Sequence, residues 1–245
     1  MKVLIAIIAY NESKNIGKVL EDLKDYADIY DIVVFDNSSS DNTKEICKNA
    51  NINIISHSIN SGSAFGTVVS YFQYAYRYNY DVLCQFDGDG QHISDELQKI
   101  ITPIEKEEAD YVIGSRFIEK KGFQSYFLRR LGINLFAKLD SVIIGQGVTD
   151  VTSGFRAYGK NVIELFGNYY KHEIYDTNQL LLLSHFAGAR ILEIPVQMRD
   201  RLHGESEFNF LNSMTYPFKG VVNILGTLLQ KKLIPQLNKT KIHSI

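Results

Sequence analysis

Two aspartates one residue apart, in Asp87-Gly88-Asp89-Gly90-Gln91-His92, directly follow the apolar run Tyr80-Asp81-Val82-Leu83-Cys84-Gln85-Phe86. In extended backbone alternate side chains leave the same face, so both carboxylates point one way. The flanking glycines let the main chain crowd against a phosphate. Oxygen donors so placed suit a hard divalent cation that bridges protein and diphosphate. The competing reading is an Asp/Gly turn, because both residue types are common in turns. Other segments of the chain decide between them.

Apolar runs alternate with helix-period segments along the chain. Val3 to Ala9 precedes Ile16, Val19, Leu20 and Leu23; Ile32 to Phe35 precedes a helix from about Asp41; Ile52 to Ile55 precedes Gly62 to Tyr78. This is a βαβ pattern, and the continuous hydrophobicity of the strands predicts a mostly parallel sheet covered by helices on both faces. Ligands of such sheets bind beyond the strands' C-terminal ends. Tyr10-Asn11-Glu12, Asp36-Asn37-Ser38-Ser39-Ser40 and Asp87 to His92 each follow a predicted strand and so share one edge. Glu12 and Asp36 are placed to accept hydrogen bonds from a base or ribose, and an unpaired carboxylate at Asp36 would be costly without a ligand. Ser38 to Ser40 either touch that ligand or cap the following helix. Neither G-x-G-x-x-G nor G-x-x-x-x-G-K-[ST] follows the first strand, so a nucleotide would be held without a glycine-rich phosphate loop.

Composition narrows the classes. A chain of 245 residues, 45% hydrophobic, is long enough for one large core, expected to be a single α/β domain with a C-terminal elaboration. A formal charge of -2 gives no global attraction to nucleic acid. Cys47 and Cys84 lie apart in apolar surroundings and read as buried thiols of a reducing compartment. The run from Met1 to Ala9 is short and continues into Asn11-Glu12-Ser13-Lys14, which fits a first strand better than a signal peptide. No window reaches the roughly 18 apolar residues a spanning helix requires. Of the histidines only His92 falls in the proposed site, where it supports Gln91 or positions the metal. Ser153 matches no nucleophile elbow.

Ala9-Tyr10-Asn11-Glu12, Val33 to Asp41, Asn60-Ser61-Gly62, Asp87 to His92, Gly114-Ser115-Arg116-Phe117 and Thr152-Ser153-Gly154-Phe155-Arg156 together resemble glycosyltransferase family 2 in order and spacing. Within it the chain is most similar to the bacterial polyprenyl-phosphate sugar transferases of the dolichyl-phosphate mannose synthase type, over residues 3 to 206. The resemblance implies a GT-A, Rossmann-like fold and inverting transfer from a UDP- or GDP-sugar to a polyprenyl phosphate for cell-surface glycan synthesis. It implies Mg²⁺ or Mn²⁺ held by Asp87, Asp89 and Gln91, and a nucleotide held by Ala9, Tyr10, Glu12, Asp36, Asn37, Asp87 and Gly88. Guanidinium forks suit phosphate oxygens. At the family's positions, Arg116, Arg130 and Arg201 would hold the acceptor phosphate or donor diphosphate, with Arg129 a lesser candidate. Arg156 either braces its loop or approaches the acceptor, and Gly154 gives backbone clearance.

A phosphate acceptor, with a second pKa of about 6, needs no strong base. A sugar hydroxyl would need one, and Asp176 is the candidate, although it could equally cap the helix-like Gln179 to Phe186. A catalytically silent nucleotide-sugar-binding subunit of a membrane assembly is the non-enzymatic alternative. Three departures from the family pattern stand out: Ile8 replaces a usual proline, Asp176-Thr177-Asn178 is less acidic than usual, and Glu207 occupies a position often held by lysine. Either Glu207 repels an acceptor phosphate, or Glu205 and Glu207 face solvent or pair with Arg199 and Arg201. Residues 207–245 read as an amphipathic, interfacial extension with a frayed tail, in which Pro217 and the glycines interrupt any long helix. They predict a protein peripheral to the cytoplasmic face of a membrane, in contact with lipid or a small membrane-protein partner.

Overall fold

The computed structural model describes residues 1–60, 67–119, 127–170, 176–201, 203 and 210–236, without the side chains of 127–131, 210–219 and 233. Seven strands form one sheet: β1 (Val3–Ala9), β2 (Asp31–Asp36), β3 (Asn53–Ser56), β4 (Val82–Asp87), β5 (Tyr111–Ser115), β6 (Arg156–Gly159) and β7 (Ile191–Pro195). Their spatial order is β3-β2-β1-β4-β6-β5-β7, and only β6 runs antiparallel to its neighbours.

The central strands β1, β2 and β4 are largely apolar because both faces are covered. Every residue of β1 is buried. Its alternation sends Leu4, Ala6 and Ile8 into one core and Val3, Ile5, Ile7 and Ala9 into the other. The second core is closed by α1 (Ile16–Asp22), α2 (Thr43–Asn49) and α4 (Leu97–Glu105). The first is closed by α3 (Val68–Arg77), α5 (Phe127–Ile144), α6 (Lys160–Glu164) and α7 (Thr177–Phe186). Leu180 to Leu183 are all fully buried, so α7 is an interior helix, and each such side chain contributes about 2 kcal/mol of burial free energy.

The C-terminal helix α8 (Phe210–Gln230) runs unbroken through Pro217, Gly220 and Gly226, against the expectation of an interrupted segment. Tertiary packing outweighs local propensity here. A Cβ on Gly220 would run into the Phe136 ring of α5, so the glycine is what lets the two helices touch. Gln230 Oε1 accepts from the Tyr170 hydroxyl at 2.9 Å, and Ile224 and Thr227 are buried. Among the described residues no helix is long and apolar enough to cross a membrane.

Register sets the site. Ala9 lies beside Asp36 and Ile8 beside Asp87, which brings the C-terminal ends of β1, β2 and β4 to one edge. Because β6 is antiparallel to β4, the start of β6 also lies at that edge, with Gln85 opposite Arg156. The loop 151–155 therefore abuts the aspartates, although nothing in its own sequence says so.

Candidate active site

The loops after β1 and β2 are sewn together by short polar side chains. Ser39 Oγ accepts from the Asn11 N–H at 2.8 Å, Asn11 Oδ1 accepts from the Ser40 N–H at 2.8 Å, and Thr43 Oγ1 accepts from the Glu12 N–H at 2.9 Å. Two of the three serines are thus spent on loop stitching, and Asn42 rather than a serine precedes α2. Asn11 and Ser38 have φ of 53° and 64°, a left-handed conformation that this stitching holds in place. Asp36 is fully buried and has partners within the chain: the Ser39 N–H at 3.2 Å and Lys44 Nζ at 3.4 Å. Its burial therefore does not require a ligand, contrary to the reasoning from sequence. The Asn37 N–H donates to Ala9 O at 2.9 Å, and Tyr10 is partly exposed at the crevice.

Asp87 ends β4, and Asp89 follows it in the next turn among buried neighbours. The Asp87 carboxylate lies against Gly154, where a Cβ would meet Oδ2 at 2.7 Å, so the clearance expected of this glycine is used by a site carboxylate. A Cβ on Gly88 would meet Ile8 O at 2.9 Å, which shows how closely the main chain passes there. Asp89 Oδ1 accepts from the Gln91 N–H at 3.0 Å, and Oδ2 accepts from Arg201 Nη2 at 2.8 Å. The other Arg201 nitrogen, Nη1, is 3.9 Å from Glu12 Oε1, so one guanidinium links the loops after β1, β4 and β7. Gln91 O accepts from the Arg199 N–H at 3.0 Å, which ties the aspartate loop to the segment carrying Arg201.

Burial, opposed by Arg201, raises the Asp87 pKa to about 6. Burial also raises Glu12 to about 7, against the opposing hydrogen bond from Asn15 and the Arg201 charge. Asp89 is raised by burial and then by Asp87. Such crowded carboxylates gain most from a cation. His92 is buried and its pKa is lowered to about 4 by burial, so the ring is neutral. It contacts Asp87 rather than Gln91: Nδ1 accepts from the Asp87 N–H at 3.0 Å.

Arg116 was expected near phosphate, and Arg156 either to brace its loop or to approach the acceptor; both guanidinium groups have partners inside the protein. Arg116 makes a two-pronged contact with the buried Asp150, Nε to Oδ2 and Nη2 to Oδ1 both at 2.7 Å, and also reaches Thr152 Oγ1 at 3.0 Å. Arg156 is fully buried and donates to Ser153 O, Val151 O and Thr177 O at 2.6 to 2.8 Å and to the Tyr111 hydroxyl. A buried charge is tolerable only when so completely hydrogen-bonded. Arg156 therefore braces the loop 151–154 and the start of α7. Asp150 was missed because its partner lies 34 positions away with no local pattern to join them. The Arg130 side chain, Ser61, Gly62, Gly204, Glu205 and Glu207 lie outside the described residues.

Asp176 caps α7. Oδ1 accepts from the Gln179 N–H and Oδ2 from Asn223 Nδ2, both at 2.7 Å. Behind it, Asp140 of α5 is fully buried with neither carboxylate oxygen hydrogen-bonded. Burial, and then the Asp176 charge, push the Asp140 pKa up to about 7; the Asn178 amide, near it but outside hydrogen-bond geometry, and Arg156 oppose the shift. The folded state therefore keeps a proton that the unfolded chain has lost, and stability falls as pH rises from the ordinary carboxyl value to about 7. Asp140→Asn should remove this contribution. Its melting temperature relative to wild type should rise between pH 5 and pH 8, and a difference that stays flat across that range would refute the assignment.

The family model for glycosyl transferase family 2 matches residues 4–166, two thirds of the chain. The chain belongs to that family. This family 2 glycosyltransferase, which uses a nucleotide sugar, is 30% identical to the UDP-N-acetylglucosamine–dolichyl-phosphate N-acetylglucosaminyltransferase of Methanococcus voltae, over 80% of this chain and 84% of the relative. It is 27% identical to the undecaprenyl-phosphate mannosyltransferase of Micrococcus luteus, over 85% and 88%. The solved mannosyl-3-phosphoglycerate synthase of Rubrobacter xylanophilus shares the fold with a TM-score of 0.69 at 13% identity, covering 99% of this chain and 78% of that one. So does glucosyl-3-phosphoglycerate synthase of Mycobacterium tuberculosis in complex with Mn²⁺ and UDP-glucose, with a TM-score of 0.65 at 16% identity, covering 96% and 80%.

The oxygen-only donor set of Asp87 and Asp89 fits Mg²⁺ or Mn²⁺. Among the described residues no three His, Cys, Asp or Glu side chains converge on a metal position. Two carboxylates completed by substrate oxygens is the usual arrangement for a cation that binds together with a diphosphate.

Proposed function

We propose that this family 2 enzyme transfers a sugar, with inversion, from a nucleoside-diphosphate sugar to a polyprenyl phosphate at the cytoplasmic face of a membrane. The observation that carries the reading is the aspartate pair at the end of β4, crowded by Glu12, which Arg201 links to Asp89, at the edge where β1, β2 and β4 all end. Asp87 and Asp89, with Gln91, would hold Mg²⁺ or Mn²⁺. When bound, the cation neutralises the charge that grows on the departing diphosphate. The loops after β1 and β2, with Tyr10, Glu12, Asp36 and Asn37 on the laced turn, receive the nucleoside. Arg201 orients phosphate oxygens beside Asp89.

Relatives whose names carry dolichyl or undecaprenyl phosphate support the acceptor. The state of Asp176 supports it too: both its oxygens are engaged by the α7 cap and Asn223, which leaves it poorly disposed to serve as the base a sugar hydroxyl would demand. A phosphate acceptor needs orientation and charge relief rather than deprotonation.

The packed helices α5 and α8 each leave an apolar stripe open. Leu135 and Val142 are 49% and 82% exposed on the first; Val222, Leu225 and Leu229 are 51%, 56% and 83% exposed on the second, which ends at Lys231 and Lys232. Apolar stripes ending in lysines suit the interface of an anionic membrane. Leu225→Asp combined with Leu229→Asp should abolish cosedimentation with phosphatidylglycerol vesicles while leaving transfer to a short, water-soluble polyprenyl phosphate within about twofold. Vesicle binding equal to wild type would rule this face out.

The deciding assay offers a panel of UDP- and GDP-sugars and a short polyprenyl phosphate, with Mg²⁺, with Mn²⁺ and with EDTA. Lipid-linked sugar that disappears with EDTA is expected. Donor hydrolysis with no lipid product would move the acceptor to a glycan hydroxyl, and donor binding without turnover would indicate a silent subunit.

A further inference from the structure

His92 touches Asp87 twice. The Asp87 N–H donates to His92 Nδ1 at 3.0 Å, while His92 Nε2 lies 3.5 Å from Asp87 Oδ2. A main-chain N–H can only donate, so Nδ1 is the lone-pair nitrogen and the proton of the neutral ring sits on Nε2, facing the carboxylate. The fold fixes this tautomer. The ring itself cannot swing: it stacks on Phe155 with centroids 4.5 Å apart and planes 18° from parallel, and meets the edge of Phe86 at 5.2 Å. Both walls are pinned, since Phe86 belongs to β4 and Phe155 O accepts from the Gly114 N–H at 2.9 Å. From the far side, an isolated bridge pairs His92 with Met198. The Asp87 carboxylate is thus held between Gly154 and the imidazole.

We propose that His92 is a positioning residue: as its Nε2–H tautomer it fixes both the main chain and the carboxylate of Asp87 in the attitude that accepts a divalent cation. This rests on the reading of Asp87 and Asp89 as a cation site. The ring need never touch the substrate. It removes the freedom of a carboxylate that would otherwise have to be ordered when the cation binds, and losing such support typically weakens metal affinity about 10- to 100-fold.

The test measures Mn²⁺ binding by electron paramagnetic resonance, without turnover, in wild type and three variants. Phe keeps the ring stacking and loses both polar contacts, Asn keeps an acceptor near the Nδ1 position, and Gln keeps a donor near the Nε2 position. His92→Phe should raise the Mn²⁺ dissociation constant at least about tenfold, with His92→Asn and His92→Gln partly restoring it. Wild-type affinity in His92→Phe, or equal weakening in all three variants, would overturn the proposal while leaving the cation site standing. No Mn²⁺ binding by the wild type would remove both. Independently of any variant that fails to fold, the ¹⁵N spectrum of wild-type protein labelled in histidine should show an Nε2–H ring with a bare Nδ1 for His92. An Nδ1–H ring would overturn the assignment.

Discussion

Asp89→Ala is expected to lower sugar transfer by about a thousandfold while the protein still folds. The residue is buried, and its two oxygens serve two tasks: Oδ1 closes the turn through the Gln91 N–H, and Oδ2 pairs with Arg201. Truncation removes one of the two carboxylates proposed to hold the cation and the 2.8 Å partner of Arg201, while the contact of Arg201 with Glu12 at 3.9 Å stays. Charge relief on a leaving diphosphate is worth several kcal/mol, which sets the size of the loss. Stability should change little, because two crowded acids become one and the pKa of Glu12, which Asp87 and Asp89 both help to raise, relaxes. Calorimetric titration of Mn²⁺ and of the nucleoside diphosphate, beside a melting curve, separates the site effect from unfolding. Turnover within threefold of wild type would dispose of the metal assignment.

The same crowding calls for a countercharge within the protein. Glu12, Asp87 and Asp89 repel one another, and Arg201 is placed among them as an internal countercharge. Arg116 with Asp150 and the carbonyl-caged Arg156 lie behind this cluster, and both cations pull the Asp87 pKa down. The wall of the site is therefore a balanced set of buried charges, with each arginine locked into one geometry. That rigidity is bought by long-range pairs rather than by any local motif.

This division decides what could be read from the sequence. β1, β2 and β4 were legible because strands buried on both faces are largely apolar, and the carboxylates at their ends follow from the crevice rule. β6 was not, because Arg156-Ala157-Tyr158-Gly159 carries a charge that is satisfied only by the carbonyls of the loop 151–153, the Thr177 carbonyl and the Tyr111 hydroxyl. The unbroken α8 was misread for a similar reason: the fit of Gly220 against Phe136 overrides the penalty at Pro217 and is invisible in either helix alone. Asp36 looked unpaired because Lys44, on the next helix, is not recognisable as its partner until the β2–α2 turn is built. Asp176 read equally as cap or base, and only the neighbouring Asn223, 47 positions on, shows both oxygens engaged.

Gly154→Ala should be nearly as damaging as removing a site carboxylate, although residue 154 offers no functional group. An added Cβ would lie 2.7 Å from Asp87 Oδ2, closer than real Cβ atoms approach, and a tight 3.2 Å from Oδ1. The loop cannot retreat to relieve the contact. Val151 O and Ser153 O are held by Arg156, the Phe155 ring is stacked on His92, and Phe155 O is bonded to Gly114. The Asp87 carboxylate must therefore turn away, out of the grip of His92. Overpacking of this kind costs about 1–3 kcal/mol of stability, and misplacing a positioned group by about 1 Å costs on the order of a hundredfold in rate. Gly147→Ala, where nothing lies within 4 Å of the new Cβ, is the matched control and should behave as wild type. Steady-state transfer and Mn²⁺ affinity should fall together in Gly154→Ala alone. If transfer and affinity survived in that variant, the Asp87 carboxylate would be free to occupy more than one attitude, and the tight seat between Gly154 and His92 would have no part in catalysis.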